Sequence, residues 1–385
     1  MAISRDPRLD FFRGIAMFII LIAHVPGNWL TLWIPARFGF SDATETFVFC
    51  SGMASAIAFG RVFRDRGLLM VTARVAHRIW QVYWAHIGLF VAVAVTMVAL
   101  NELSIGNRDY VGQLNLYPFF NNAQPNLLGL LTLTYVPNYF DILPMYLVIL
   151  AMMPVMIGLA RIHVLITFGA VVGIWMTANF ADISFPAEPW SEREWFFNPF
   201  GWQLVFFTGF AFMAGWLPAP PVNRWLIFGA LIVVLLSLPF AYFRFYRAFE
   251  ILSEMRTEVS WFIAKTDFGL LRYVHFLATA YLAWVAVGVG GRRLLPPSSG
   301  GRLAAFWRVS LAWIMKVGQQ SLAVFITSMF LARLLGVMLD VFGRSYFSMV
   351  LVNLFGFSVL IGMAYAVGWF KSQPWKTERA KHAAS

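Results

Sequence analysis

The chain has 385 residues, of which 60% are hydrophobic and only 12% charged, and its mean hydropathy is +0.71. An ordinary soluble domain, with about a quarter of its residues charged, is excluded; apolar runs of about 20 residues recur from end to end, as in a polytopic membrane protein. The net charge of +11 arises from cations scattered between those runs, which fit topology determinants beside an anionic leaflet and not a nucleic-acid surface.

Ten transmembrane helices account for the runs, in an all-α architecture. They are expected at about 12–33, 42–60, 79–100, 141–160, 163–180, 200–217, 225–243, 272–290, 316–338 and 347–370. The N-terminus has basic residues (Arg5, Arg8, Arg13) ahead of an apolar core, as a signal peptide would. No small-x-small cleavage site follows, so the segment reads as an uncleaved first span. Arg13 and His24 lie eleven positions apart in it, about 16 Å along a helix axis. Pro26 then removes a backbone donor and Gly27 lets the chain unwind, which membrane depth tolerates only against protein or a wet cavity. His24 is either a packing histidine held by one hydrogen bond or the centre of a site.

The second span opens with "GFSDATETFVFCSGMASA". Asp42, Glu45 and Thr46 share one face of its first turn. Ser41 or Asp42 serves as a helix cap, but a cap does not require two carboxylates on one stripe. A carboxylate near His24 would fix its tautomer and stabilise the imidazolium. Ser51, Gly52, Ala54, Ser55, Ala56 and Gly60 permit close helix contact, and the single Cys50 reads as a small packing residue with no disulfide partner. An inner loop over 61–78 follows, bearing Arg61, Arg64, Arg66, Arg74 and Arg78, with His77, Gln81 and His86 beyond. Positive-inside topology explains that count; an arginine cluster at a cavity mouth would also suit phosphate groups.

Asn126–Pro137 is too short for a span and reads as a re-entrant or interfacial helix, as does Ala305–Met315. Asp141 opens the fourth span, and Arg272, His275 and Thr279 line one face of the eighth. Together they could form the far wall of an outer cavity. The segments near 181–199 and 244–271 mix charges with aromatics (Trp190, Trp195, Phe196, Phe243, Tyr246, Phe249, Trp261), which suits either a sugar-stacking surface or interfacial belts. No internal repeat and no metal-ligand spacing is present. Segments 1–13, 61–78, 218–224, 291–316 and 371–385, with Arg161, hold most of the Lys and Arg and few of the acids, placing both termini in the cytoplasm. A single membrane domain over 1–371 and a short basic tail over 372–385 are expected.

At these residues a family likeness emerges. "RLDFFRGIAMFIILIAH" and "TFVFCSGM" resemble the opening of the membrane-bound acyltransferase superfamily that O-acylates sugars, and "ARVAHRIWQVY" resembles its arginine-bearing segment. More narrowly, "LDFFRG", "HVPGN", "FGFSDATETFVFCSG", "YFDILPMYLVIL", "FNPFGWQLVFFTG", "KTDFGLLRYVHFLATAYLAW" and "VGQQSLAVF" resemble the OpgC family, succinyltransferases of osmoregulated periplasmic glucans. The resemblance implies a multi-pass enzyme of a Gram-negative inner membrane that uses cytoplasmic acyl-CoA as co-substrate, holds no tightly bound cofactor, and acylates a periplasmic glucan. It implies His24 as the catalytic histidine, Asp42 as its partner with Glu45 as substitute, and Arg13, Arg74 and Arg78 on the donor route. Arg61, Arg64 and His86 extend that route, and Asp141, Arg272 and His275 face the acceptor or the acyl carboxylate, Arg272 being the cation for a succinyl group. Met53 after Ser-Gly departs from the superfamily's usual residue, and the C-terminal tail is short.

Direct attack by the glucan hydroxyl and a transient acyl-histidine use the same residues. A transporter or flippase with a buried proton relay is the rival class, and a non-catalytic scaffold a second. The partners expected are the glucan, acyl-CoA and the bilayer, with no nucleic acid; a homodimer is compatible with the sequence.

Overall fold

A computed structural model describes residues 6–297 and 301–376. Of the expected basic tail, 377–385 lie outside the described residues, as does Arg5. The described chain is helical, its β-content being one isolated bridge between Pro186 and Glu194. In chain order the helices are α1 (Pro7–His24), α2 (Ala43–Glu102), α3 (Tyr110–Gln113), α4 (Tyr117–Asn121), α5 (Ala123–Thr132), α6 (Ile142–Ile162), α7 (Val164–Phe180), α8 (Pro199–Ala214), α9 (Arg224–Ala241), α10 (Phe243–Tyr246), α11 (Glu250–Glu258), α12 (Leu270–Val287), α13 (Arg302–Gln319), α14 (Ser321–Phe342) and α15 (Tyr346–Ser372).

Six of them, α2, α6, α9, α12, α14 and α15, are long and apolar enough to cross a membrane. The helices α7 and α8 are apolar but shorter, and α1 carries Arg8, Asp10 and Arg13 in its first two turns.

Several boundaries depart from the sequence expectation. The first helix ends at His24 and not near residue 33, because Pro26 cannot donate and Gly27 takes φ +74°. The arginine-rich stretch expected as a loop is helical: its Arg, Leu, Met and Ala residues are strong helix formers. Only Gly67, at φ +76° and ψ −174°, interrupts it, so α2 is two helices end to end, roughly 36 and 52 Å long. The short helix expected from Asn126 is α5, which stops at Thr132 where Leu133 turns left-handed. The stretch Ala305–Met315 belongs to the 18-residue α13.

Two compact units divide the chain: 1–31 with 286–385, and 32–285. In the first, α1 packs along α13 and α14, and α15 closes on α14 and α13. The α1–α13 contact is main chain against main chain. Gly14 meets the Ile314 backbone and Gly318 meets that of Asp10, so a Cβ at either position would overlap the facing helix. Beside it Val287, Leu294 and Leu311 are buried with Phe11, Phe12, Trp307 and Met315 packed against them. In the second unit α2 runs along α8 and α6, and α7 packs on both α8 and α6. Cys50 is buried in α2, as the packing reading expects.

Because overpacking a closed helix contact costs about 1–3 kcal/mol, Gly14→Val should lower the thermal midpoint of the detergent-solubilised protein. Gly60→Ala, where a Cβ meets nothing within 4 Å, should leave it unchanged.

Candidate functional site

In the first unit, α1 carries both Arg13 and His24. The His24 Nδ1 lies 2.7 Å from the Ile20 carbonyl, one turn back. A carbonyl only accepts, so Nδ1 carries a proton. The imidazole is thus oriented by its own helix. Arg13 donates through Nη2 to the Ser321 hydroxyl at the start of α14, and next to it Lys371 Nζ donates to the Gln320 amide oxygen at 2.7 Å.

Beyond His24 the chain leaves the helix through Val25, Pro26 and Gly27, and its return is held by a pair of amides. Asn28 and Asn353, both buried, exchange hydrogen bonds of 2.9 and 3.2 Å, and Asn353 also donates to the Met349 carbonyl at 2.8 Å. The Pro26 ring lies on Gly336 of α14.

In the second unit, Asp42 caps α2 by accepting from the Thr44 amide at 2.6 Å, and Glu45 reaches back to the Asp42 amide at 2.8 Å, a complete capping box. Both carboxylates also take a cation. Lys265 Nζ is 2.6 Å from Asp42 Oδ2, and Arg272 Nη1 is 2.5 Å from Glu45 Oε1. Glu45 is fully buried and Arg272 nearly so, and the Arg272 Nε donates to the Ile263 carbonyl at 3.3 Å.

Lys265 reaches Asp42 because the strap 265–269 is held at several points. Trp202 donates to the Lys265 carbonyl (2.8 Å), Trp175 to that of Phe268 (2.9 Å), and Asn179 to that of Asp267 (2.9 Å). Asn198 binds the Asp267 carboxylate at 2.8 Å. Four side chains from α7, α8 and the α8 cap thus pin one short loop.

Next to the cap, the Ser41 amide donates to His275 Nδ1 at 3.2 Å and the Ser41 hydroxyl sits 2.8 Å from the same atom. Nδ1 therefore accepts, and the His275 proton is on Nε2, the tautomer opposite to that of His24. That nitrogen is buried and has no hydrogen-bond partner among the described residues. It lies over Gly39, where any side chain would displace it. Thr279 donates back to the His275 carbonyl at 2.9 Å.

Of the remaining sequence candidates, Asp141 precedes α6, and its carboxylate accepts the Phe196 amide at 3.2 Å. Among the described residues it shares no hydrogen bond or ion pair with Arg272 or His275. Arg61, Arg64 and Arg74 are exposed on α2, and Arg78 is half-buried and donates to Gln81 at 3.1 Å. Val71, Val75, Val82 and His86 are buried along one stripe of the second half of α2, and Arg78 falls on it. His86 is wholly buried, and neither ring nitrogen has a hydrogen-bond partner among the described residues. No group of three or more His, Cys, Asp or Glu fit to hold a metal occurs among the described residues.

The sequence reading missed Lys265, Ser321, the Asn28–Asn353 pair and the bond of Ser41 to His275. Lys265 was visible in one respect: it precedes Arg272 by seven, matching two cations to the two carboxylates of the α2 cap.

Fold and site together define an all-helical, membrane-type protein with a histidine oriented by its own helix at one helix end and a cation-paired carboxylate pair at another. The family model described as OpgC protein matches residues 5–372, nearly the whole chain, and the chain belongs to the OpgC family, which points to an acyltransferase. No curated protein and no solved structure matches it.

Removing one partner of a buried ion pair costs about 3–5 kcal/mol because the other charge stays buried. Arg272→Met should therefore destabilise the protein on that scale, and adding Glu45→Gln should recover much of the loss, as a double-mutant cycle in denaturant will report.

Two carboxylates ahead of their helices respond oppositely to pH. Burial pushes the Asp42 carboxyl up, but Lys265 and then Arg272 outweigh it and hold it well below the usual range. At Asp141 burial wins over the Phe196 amide and Arg193 and lifts the carboxyl to about 6. The Asp42 contribution to stability is present above its unfolded value near ~4 and fades as pH falls through its depressed folded value. That of Asp141 is present below ~4 and is lost as pH rises through about 6. Asp141→Asn should remove the decline in thermal midpoint between pH 4 and 6 that this titration produces.

Proposed function

We propose that this protein moves a succinyl or another short acyl group from cytoplasmic acyl-CoA to hydroxyls of a periplasmic glucan, with His24 as general base. The observation that carries the reading is the orientation of His24 within a chain of this family: the Ile20 carbonyl holds a proton on Nδ1, and Nε2 is the nitrogen assigned to the chemistry. Nε2 takes the proton of a glucan hydroxyl as its oxygen attacks the thioester carbonyl carbon. The tetrahedral intermediate collapses, the C–S bond breaks, and the thiolate leaves with the proton from the imidazolium. An ester and free coenzyme A result.

Arg13 lies about 16 Å from His24 along α1, a length that an extended pantetheine arm can cover, so Arg13 serves the phosphate end of the donor. On α2, Arg78 and His86 share one stripe of the second half with Arg74 on the same half, and Arg61 and Arg64 lie before the Gly67 break; these too are assigned to acyl-CoA. The pairing of Asp42 with Lys265 and of Glu45 with Arg272 supports a scaffolding role for these carboxylates, with the imidazole oriented by Ile20. Asp141 and His275 are assigned to the acceptor side, and the enzyme acts in the inner membrane with both termini in the cytoplasm.

The experiment is transfer of label from succinyl-CoA to glucan by purified protein in detergent. His24→Ala should fold with an unchanged thermal midpoint and lose about 10²–10⁴-fold in rate. Transfer at the wild-type rate by that variant, or movement of intact solute in proteoliposomes without a covalent product, would sink the reading.

A further inference from the structure

A cation lies against the turn that follows His24. Gly27 has φ +74°, and a Cβ built on it would fall 2.5 Å from Arg344 Cζ, 2.7 Å from its Nη1 and 2.8 Å from its Nε. The closest atom is the central carbon, so the guanidinium lies face-on over Gly27. Glycine suits the left-handed backbone there, and its lack of a side chain leaves the space that the guanidinium occupies. Arg344 follows α14, whose Gly336 receives the Pro26 ring, so one helix end braces both residues of the Pro-Gly turn.

The guanidinium is held but not consumed. Its Nη2 donates to Asp340 at 2.6 Å, an i,i+4 ion pair, while the Nε and Nη1 hydrogens have no hydrogen-bond partner among the described residues. The side chain is 36% exposed, so those donors are reachable. A guanidinium anchored through one nitrogen, with donors on its other two still open, can take a second carboxylate by a charge-assisted hydrogen bond. Gly27 is three residues from His24, a path of at most about 11 Å.

The geometry points to Arg344 as the residue that recognises the free carboxylate of a dicarboxylic half-acyl donor and so sets acyl-group selectivity. The inference rests on the acyltransferase reading above. In a succinyl group three C–C bonds separate thioester carbonyl from carboxylate, about 4 Å, so a carboxylate held at Arg344 leaves the carbonyl beside the turn that leads back to His24. Arg272, the sequence's candidate for this task, is already committed to buried Glu45.

The test compares succinyl-CoA with acetyl-CoA as donors to the same glucan, using purified full-length protein. Arg344→Met keeps an apolar stem over Gly27 and should cut kcat/KM for succinyl transfer roughly 10- to 100-fold relative to acetyl transfer. Arg344→Lys, which retains the charge without the fork, should restore part of that ratio and serves as the second variant if the first folds poorly. An equal fall with both donors would mark Arg344 as a structural clamp and overturn the inference while leaving the acyltransferase reading intact, as would an unchanged ratio. Wild-type protein that transfers neither acyl group would overturn the reading on which the inference rests.

Discussion

Two carboxylates one helical turn apart cannot be buried ionised unless cations are buried with them, since desolvating an unpaired charge costs several kcal/mol. The start of α2 is built around that constraint. Asp42 and Glu45 satisfy the first turn as a capping box, and Lys265 and Arg272 supply the compensating charge. Lys265 can do so only because 265–269 is fixed by Trp175, Asn179, Asn198 and Trp202, and Arg272 only because α12 begins directly after that strap. The requirement to neutralise one helix end thereby organises α7, α8, the strap and α12.

The same chemistry explains why the two histidines beside helix ends differ. His24 faces a main-chain carbonyl, so a proton is drawn to its Nδ1. His275 faces a main-chain amide, so its Nδ1 accepts and its proton resides on Nε2. Two identical side chains are set to opposite tautomers by which half of a peptide group each one meets.

Much of this was legible in the residues. Low charge and recurrent apolar runs dictated a helical membrane protein, Pro26 and Gly27 ended a helix beside His24, and Asp42 with Glu45 three later formed a cap. The arginines of 61–78 misled because a cluster of cations between apolar runs reads as a loop, whereas the local propensities are helical and a single glycine breaks them. Ten spans were expected from hydropathy; six helices meet the length and composition of a span, because α2 runs through two of the expected spans, α7 and α8 are short and α1 is charged at its start.

The sequence by itself determined the apolar periodicity, the helix punctuation and the residue types available for chemistry, because these depend on neighbours within a turn or two. Only the tertiary structure decided which charges meet. Lys265 and Asp42 are separated by 223 positions, Arg272 and Glu45 by 227, and Arg13 and Ser321 by 308. Such pairings are selected by burial and the desolvation it imposes, and no local pattern encodes them. For the same reason Arg344 carried no signal in the sequence: an arginine after an apolar helix is ordinary until the fold lays it over Gly27.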